Sequence, residues 1–430
     1  MKFSISWLKT HLKTKASLDE IVFALTDLGL EVENVINPET TLDKFVVGKV
    51  LEVKKHPNAD KLKVCLVDFG LGPKEIVCGA PNARAGLEVV VAQPGTYVLE
   101  LDITIKECTI RGVESYGMMC SEAELQLSNE HDGIIELQNS EVGQNFVGWL
   151  HKNRPQIIDP IIEIAITPNR PDALGVYGIA RDLAARGLGE LNFSSGQIIK
   201  GSYKSLIDVK IDKEVLKKDC PFFCGCYLKG VKNTESPEWL KERLAAAGLK
   251  PISGLVDLTN FLTFDRARPL HVFDANKLNG KIFVRKAKNG EKILALDGNE
   301  YTLDDTMTVV ADDTGPQAIA GIIGGLNSSC TPQTENIFVE SAFFDALATS
   351  MTGRKLNIQT DSRYRFERGV DPEFTMSGLA LYVQIAIEYF GGKASKVVSV
   401  GSEKMQTTLN AFDPKKLKNL VGMDEPETTQ

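Results

Sequence analysis

Between positions 45 and 114 the sequence is a succession of short β-branched runs separated by turn residues, and this pattern most limits what the chain can fold into. The runs are residues 47–53, 63–68, 76–78, 88–91 and 103–106. Between them stand His56-Pro57-Asn58, Gly70-Leu71-Gly72-Pro73, Gly79-Ala80-Pro81-Asn82 and Gln93-Pro94-Gly95. Five short strands punctuated in this way suit a small Greek-key barrel of the OB class; a fragment of a β-sandwich is the plainer alternative.

Helical signals flank this stretch. Trp7, Leu8, His11 and Leu12 fall at helical spacing. Ser17-Leu18-Asp19-Glu20 offers a capping box, followed by an apolar stripe of Ile21, Leu25 and Leu28 that Gly29 ends. Further on, Asp172 is expected to cap a helix that Gly187 stops, and residues 192–196 read as a linker. A new α+β region begins near Ser205. Its helices are expected to start at Ser236 with Pro237 in the first turn, and at Asp371 with Pro372 in the first turn. Strand-like stretches lie at 281–284, 307–310, 319–323 and 338–340. From Thr407 onward a new pattern starts with no room to bury itself. A chain of 430 residues suits about three domains.

Composition narrows the class. With 43% hydrophobic and 25% charged residues the chain is a folded one, neither disordered nor collagen-like. No apolar run approaches the ~18 residues of a membrane span, and lysines interrupt the N-terminus before a signal sequence could form. Eight cysteines are too sparse for a disulfide scaffold and point to a reducing, cytoplasmic setting. The net charge of −8 argues against a surface coated for nucleic acid. Two basic islands stand out, each with five basic and two acidic residues: 49–63, and 354–368, which holds Arg363, Arg365 and Arg368. A solvated face is the default reading of either.

No metal-ligand framework emerges: Cys220, Cys224 and Cys226 lack a second pair or histidine partners and read as small buried residues in a strand. Residues 320–325 are glycine-rich without a phosphate-binding lysine. His271, closing Pro269-Leu270-His271, and Glu340, inside an apolar run, each read alone as a satisfied core residue. They gain weight together with the segment 360–369.

Several strings resemble the bacterial phenylalanyl-tRNA synthetase beta subunit, in order and over essentially the whole chain. They are Phe3-Ser4 with Trp7-Leu8, His56-Pro57-Asn58-Ala59-Asp60-Lys61-Leu62, Val77-Cys78-Gly79-Ala80-Pro81-Asn82, Arg111-Gly112-Val113-Glu114-Ser115 with Gly117-Met118-Met119-Cys120-Ser121-Glu122, Thr167-Pro168-Asn169-Arg170-Pro171-Asp172, and Phe366-Glu367-Arg368-Gly369-Val370-Asp371-Pro372. The resemblance implies a multidomain α+β chain. An N-terminal helical/α+β domain (1–40 and 151–200) would carry an inserted OB-fold β-barrel that binds tRNA (41–150). An α+β editing (B3/B4) domain (205–398) and the start of a DNA-binding-like B5 domain (404–430) would follow. It also implies that the family's catalytic-like core, anticodon-binding domain and magnesium ligands lie beyond Gln430. Mg2+ and ATP would serve the full synthetase, with no metal or cofactor site evident in residues 1–430. The partners implied are tRNA(Phe) and the alpha subunit of an α2β2 heterotetramer, which holds the synthetic site; neither a membrane nor DNA is expected.

What the resemblance assigns to this chain is editing, the hydrolysis of tyrosine mischarged on tRNA(Phe). A pocket for phenylalanine rejects an added hydroxyl poorly, whereas a second site that hydrogen-bonds the hydroxyl discriminates strongly. Glu340 resembles the reader of that hydroxyl. His271, Thr259 and Asn260 resemble the groups that hold the ester and terminal adenosine and order a water. Gly324 resembles the glycine whose backbone meets the substrate. Thr360, counted with the catalytic set, and Ser362 match pocket-lining positions, Ser362 where many members have Ala. Residues 264–268 depart from the family and read as a surface change near the site. Arg363, Arg365 and Arg368 would meet acceptor-stem phosphates; Lys54, Lys55, Lys61 and Lys63 would meet backbone from the barrel, whose charges balance over 45–115. With no paired nucleophile and base, hydrolysis would rest on a positioned water and oxyanion stabilisation. A binding and assembly module without chemistry is the alternative; a free-standing metal hydrolase is disfavoured by ligand spacing.

Overall fold

The computed structural model describes residues 1–128, 130–193 and 199–402, together with positions 411, 413, 416, 419, 420 and 422. The expected linker lies partly, and the pattern from Thr407 mostly, outside the described residues. The chain forms two compact units, one of residues 1–194 and 234–267, the other of 195–233 and 268–430. Residues 234–267, placed by sequence inside the 205–398 segment, therefore count with the first unit.

In the first unit, Ser17 and Glu20 form the reciprocal capping box on the helix Leu18–Asp27, and Gly29 takes φ +77° just past its end. The strand runs assemble in the antiparallel order Met118–Met119, Glu88–Ala92, Phe45–Lys55, Lys63–Asp68, Pro73–Cys78, with Glu136–Leu137 also paired to Glu88–Ala92. A register shift between Val50 and Glu52 breaks the eleven-residue strand Phe45–Lys55, and such a bulge bends a strand so that it can serve two parts of a curved sheet. Gly48 permits the closure: a Cβ there would stand 2.7 Å from Val91 Cγ2.

The fifth expected strand is corrected. Among the described residues Ile103–Thr104 pairs only with Tyr97–Val98, in a separate hairpin, and the sheet is completed by Met118–Met119 and Glu136–Leu137. Alternation alone does not distinguish a solvated hairpin arm from a barrel strand. Three helix starts also move. Asp172 sits in a 3-10 turn, paired with Arg170 and Arg181, while the helix Val176–Ala185 begins after Gly175. Ser236 donates to Asp257 instead of capping, and Glu238–Ala246 follows Pro237. Asp371 accepts from Glu373 N, and the long helix is Phe374–Phe390.

Among the described residues the second unit has two five-stranded sheets, beside a small hairpin of Lys292–Leu294 and Glu300–Thr302. One runs Val209–Ile211, Ile282–Lys286, Thr308–Asp312, Gly315–Ile319, Ile323–Gly324; the other runs His271–Asp274, Asn336–Phe343, Phe222–Lys229, Lys393–Ala394, with Val398–Gly401 also on Phe222–Lys229. Ile282, Val284, Val310 and Ala318 of the first share one core with Phe223, Tyr227, Phe273, Phe338 and Ala342 of the second. Cys224 and Cys226 are buried in Phe222–Lys229, where Cys224 Sγ donates to Ser341 O.

Candidate functional site

His271 and Glu340 are direct cross-strand partners on His271–Asp274 and Asn336–Phe343, and Gly225 faces Glu340 from the other side. Paired antiparallel residues share a face. This face is the inner one: Phe338 and Ala342, two positions either side of Glu340, belong to the core, and the Phe273 ring meets the imidazole edge-on at 4.3 Å. Alternation in the strand thus drives a carboxyl group inward.

Among the described residues two polar atoms here have no partner. Glu340 is 6% exposed and its Oε2 accepts no hydrogen bond; His271 is half-buried as a residue, but its Nε2 is enclosed and unpaired. Buried polar groups are nearly always satisfied, so two orphans side by side mark a place shaped for something else. Burial alone pushes the Glu340 carboxyl up to about 8 and the His271 imidazole down to about 4. At neutral pH both are therefore uncharged, and each can donate or accept a hydrogen bond.

The opposite sheet supplies Gly324. A Cβ at this position would lie 2.2 Å from His271 Cε1 and 2.7 Å from Nε2, so only glycine lets the backbone rest against the ring. Thr360 caps the helix Asp361–Phe366 by accepting from Arg363 N, and its hydroxyl donates to Ile322 O at 2.7 Å. Ser362 Oγ donates to Gly321 O at 3.1 Å. The two hydroxyls tie the helix to the turn before Gly324; their oxygens are engaged in structure. Of the seven pocket residues named from sequence, the second unit thus places Glu340 and Gly324 each beside His271, with Thr360 and Ser362 bracing the turn. Thr259 and Asn260 stand on the helix Gly254–Arg266 of the first unit, where Thr259 Oγ1 donates to Val256 O.

The arginine expectation is corrected for Arg363 and Arg365. Arg363 and Arg365 are 9% and 2% exposed. Arg363 pairs with Glu367 and donates to Ile358 O, Arg365 pairs with Asp361, and Arg368 lies over the Tyr364 ring while pairing with Glu367. Spacing i, i+4 along a helix matches each of the first two to an internal acid, and burial leaves them no face for a phosphate. In the antiparallel sheet of the first unit and its turns, Lys54, Lys55 and Lys61 are exposed, Lys54 beside Glu52, while Lys63 Nζ donates to Pro81 O and Ala83 O. Residues 264–268 are not a surface change either: Asp265 is 2% and Arg268 1% exposed. Arg268 donates to Ala342 O at 3.0 Å and to Asp371 O, holding the strand two residues from Glu340. Sequence reasoning missed Arg268, Phe273 and Gly225; alternation around Glu340 was the signal for an inward face, but nothing local names its neighbours.

Residues 219–391 match the model of the "B3/4 domain" and residues 45–145 that of the "Putative tRNA binding domain". The phenylalanine--tRNA ligase beta subunit of Ruegeria pomeroyi is 52% identical over 430 residues, covering 100% of this chain and 54% of that protein. That of Mesorhizobium japonicum is 50% identical, covering 99% and 52%. The chain thus spans about half the length of the curated relatives it matches. With end-to-end identity at this level and both domain models in place, the chain belongs to the phenylalanine--tRNA ligase beta-subunit family.

Proposed function

We propose that this chain works as part of the beta subunit of a phenylalanine–tRNA ligase of the cytoplasm, binding tRNA and hydrolysing tyrosine mischarged on tRNA(Phe). In this reading residues 41–150 form an OB-type tRNA-binding barrel inserted between 1–40 and 151–200, and 205–398 an editing module. The start of a B5 domain at 404–430 lies mostly outside the described residues. Synthesis would occur on an alpha subunit of an α2β2 assembly, with ATP and Mg2+ bound by parts outside these residues.

The observation that carries the editing assignment is the pair of orphaned polar atoms on Glu340 and His271 in an apolar layer. A tyrosine phenol entering there would satisfy the Glu340 oxygen; phenylalanine would leave it unpaired, and an unmade buried hydrogen bond costs about 1–3 kcal/mol. Gly324 brings backbone to the imidazole, where an ester could be held. Thr360 and Ser362 serve by bracing that backbone, and Thr259 and Asn260 are retained as candidates for the adenosine end. Water, positioned between polar groups, would be the attacking species.

The test is tyrosine release from Tyr-tRNA(Phe) by the full heterotetramer. Glu340→Ala should slow it at least tenfold while phenylalanylation persists. Equal rates for wild type and variant would remove Glu340 from the mechanism. The engaged hydroxyls of Thr360 and Ser362 favour a second reading, a binding and assembly module. That reading wins if the full heterotetramer binds tRNA and releases no tyrosine.

A further inference from the structure

The second unit carries a cationic face that the Glu340 site does not use. Tyr203, Leu206, Lys229, Gly230, Gly392 and Lys393 line a cleft of about 740 Å3. Its walls are three chain segments locked by backbone bonds. Lys229 and Lys393 are antiparallel cross-strand partners, Ser202 N donates to Ala394 O, and Lys396 N donates to Tyr203 O. Tyr203 closes the corner by donating its hydroxyl to Lys393 O at 2.9 Å.

Lys229 and Lys393 therefore present like charges side by side, an arrangement that is unfavourable without a counter-charge. Lys200, Lys204, Lys232 and Lys396 lie on the same three segments, and all six lysines are exposed. Residues 199–206, 228–233 and 391–396 contain no acid. None of the six takes part in an ion pair among the described residues, where other lysines of this unit find partners such as Glu214, Asp208 and Glu300. Asp208 and Glu235, just past these segments in sequence, are held by Lys281 and Lys241; Glu335, whose carbonyl takes Val231 N, and Glu388 near the end of the long helix are further acids nearby. The lysine cluster thus runs against the sign of a chain whose net charge is −8. Leu206, 68% exposed, adds an apolar edge to the cleft.

We propose that this face docks the sugar-phosphate backbone of tRNA, the lysines neutralising successive phosphates and Leu206 meeting a ribose or base. The inference rests on the reading that the protein acts on tRNA, and it gives that reading a phosphate-facing surface on this unit, which the buried Arg363 and Arg365 do not provide. Lysines spread over three segments suit a repeating anion, because phosphate contacts need charge more than fixed geometry.

The experiment measures tRNA affinity of the full heterotetramer across a salt series. Lys229→Gln with Lys393→Gln should weaken binding roughly tenfold at ~0.1 M salt and flatten the log–log salt slope by about 2. Lys229→Arg with Lys393→Arg should keep the slope, and so should Lys281→Gln with Lys292→Gln on ion-paired lysines of the same unit. An unchanged slope in the glutamine variant, with wild-type binding intact, overturns the inference alone. So does a variant that no longer assembles by native mass spectrometry, which would assign the face to a protein partner. Wild-type protein without salt-dependent tRNA binding overturns the functional reading and this inference with it.

Discussion

In the first unit His11 Nε2 lies 2.6 Å from Asp265 Oδ1, and the same carboxylate accepts from Trp7 Nε1 at 2.7 Å and from Arg266 Nε at 2.9 Å. In the second unit His271 stands beside Glu340 in an equally apolar setting, yet each keeps an unpaired polar atom. Burial pushes the Asp265 carboxyl up, but the hydrogen bond and charge of His11, then Arg266 and Trp7, outweigh it and hold the group at about 2. Nothing offsets burial at Glu340, which rises to about 8. The same pair of side-chain types is a completed structural network in one place and an unfinished one in the other. Completion stabilises a fold; an unfinished network is what a ligand can complete.

The contrast breaks first if Asp265→Ala is harmless. That change leaves a buried imidazole, indole and guanidinium without their acceptor and should cost about 3–5 kcal/mol in denaturant unfolding. Glu340→Gln should act in the opposite direction and with a pH signature. The folded Glu340 keeps its proton to about pH 8, while the unfolded chain releases it near 4.5. Stability from this group is complete below pH 4.5 and is lost as pH rises through 8. The glutamine variant should therefore be more stable than wild type by roughly 4–5 kcal/mol at pH 9, with the difference gone at pH 4. For Asp265 the sign reverses: its contribution is present above the ordinary 3.8 and lost as pH falls through about 2. A Glu340→Gln stability difference that is flat from pH 4 to 9 would show that this carboxyl is paired after all.

Smaller effects sharpen the site itself. Gly324→Ala drives a methyl into the imidazole and should cost about 1–3 kcal/mol while slowing tyrosine release far more than its stability loss explains; a thermal melt beside the deacylation assay separates the two. Thr360→Ala removes a helix cap and the bond to Ile322 O, for about 1 kcal/mol, and editing should fall only modestly. A loss of editing as large as that of Glu340→Ala would instead make Thr360 a direct participant.

Legibility in the sequence followed the range of each interaction. The Ser17/Glu20 box was readable because both partners lie within one turn, and the strands of the first unit's larger sheet because alternation is local. The hairpin at Tyr97–Thr104 was misplaced because its pattern matches that of a sheet strand. Glycine at 324 was visible; that it must be glycine because His271 lies against it was not. Arg363 and Arg365 looked available because charge is printed in sequence and burial is not.

What the sequence alone determined is the family, written in ordered strings from Phe3 to Pro372, and the type of most elements, since both depend on neighbours along the chain. What only the tertiary structure decided is which buried polar groups find partners. Asp265 meets His11 from 254 positions away, and Glu340 meets His271 through strand register, leaving two atoms unpaired. Whether a buried acid is glue or an open hand depends on groups brought together by folding, and no local pattern records them.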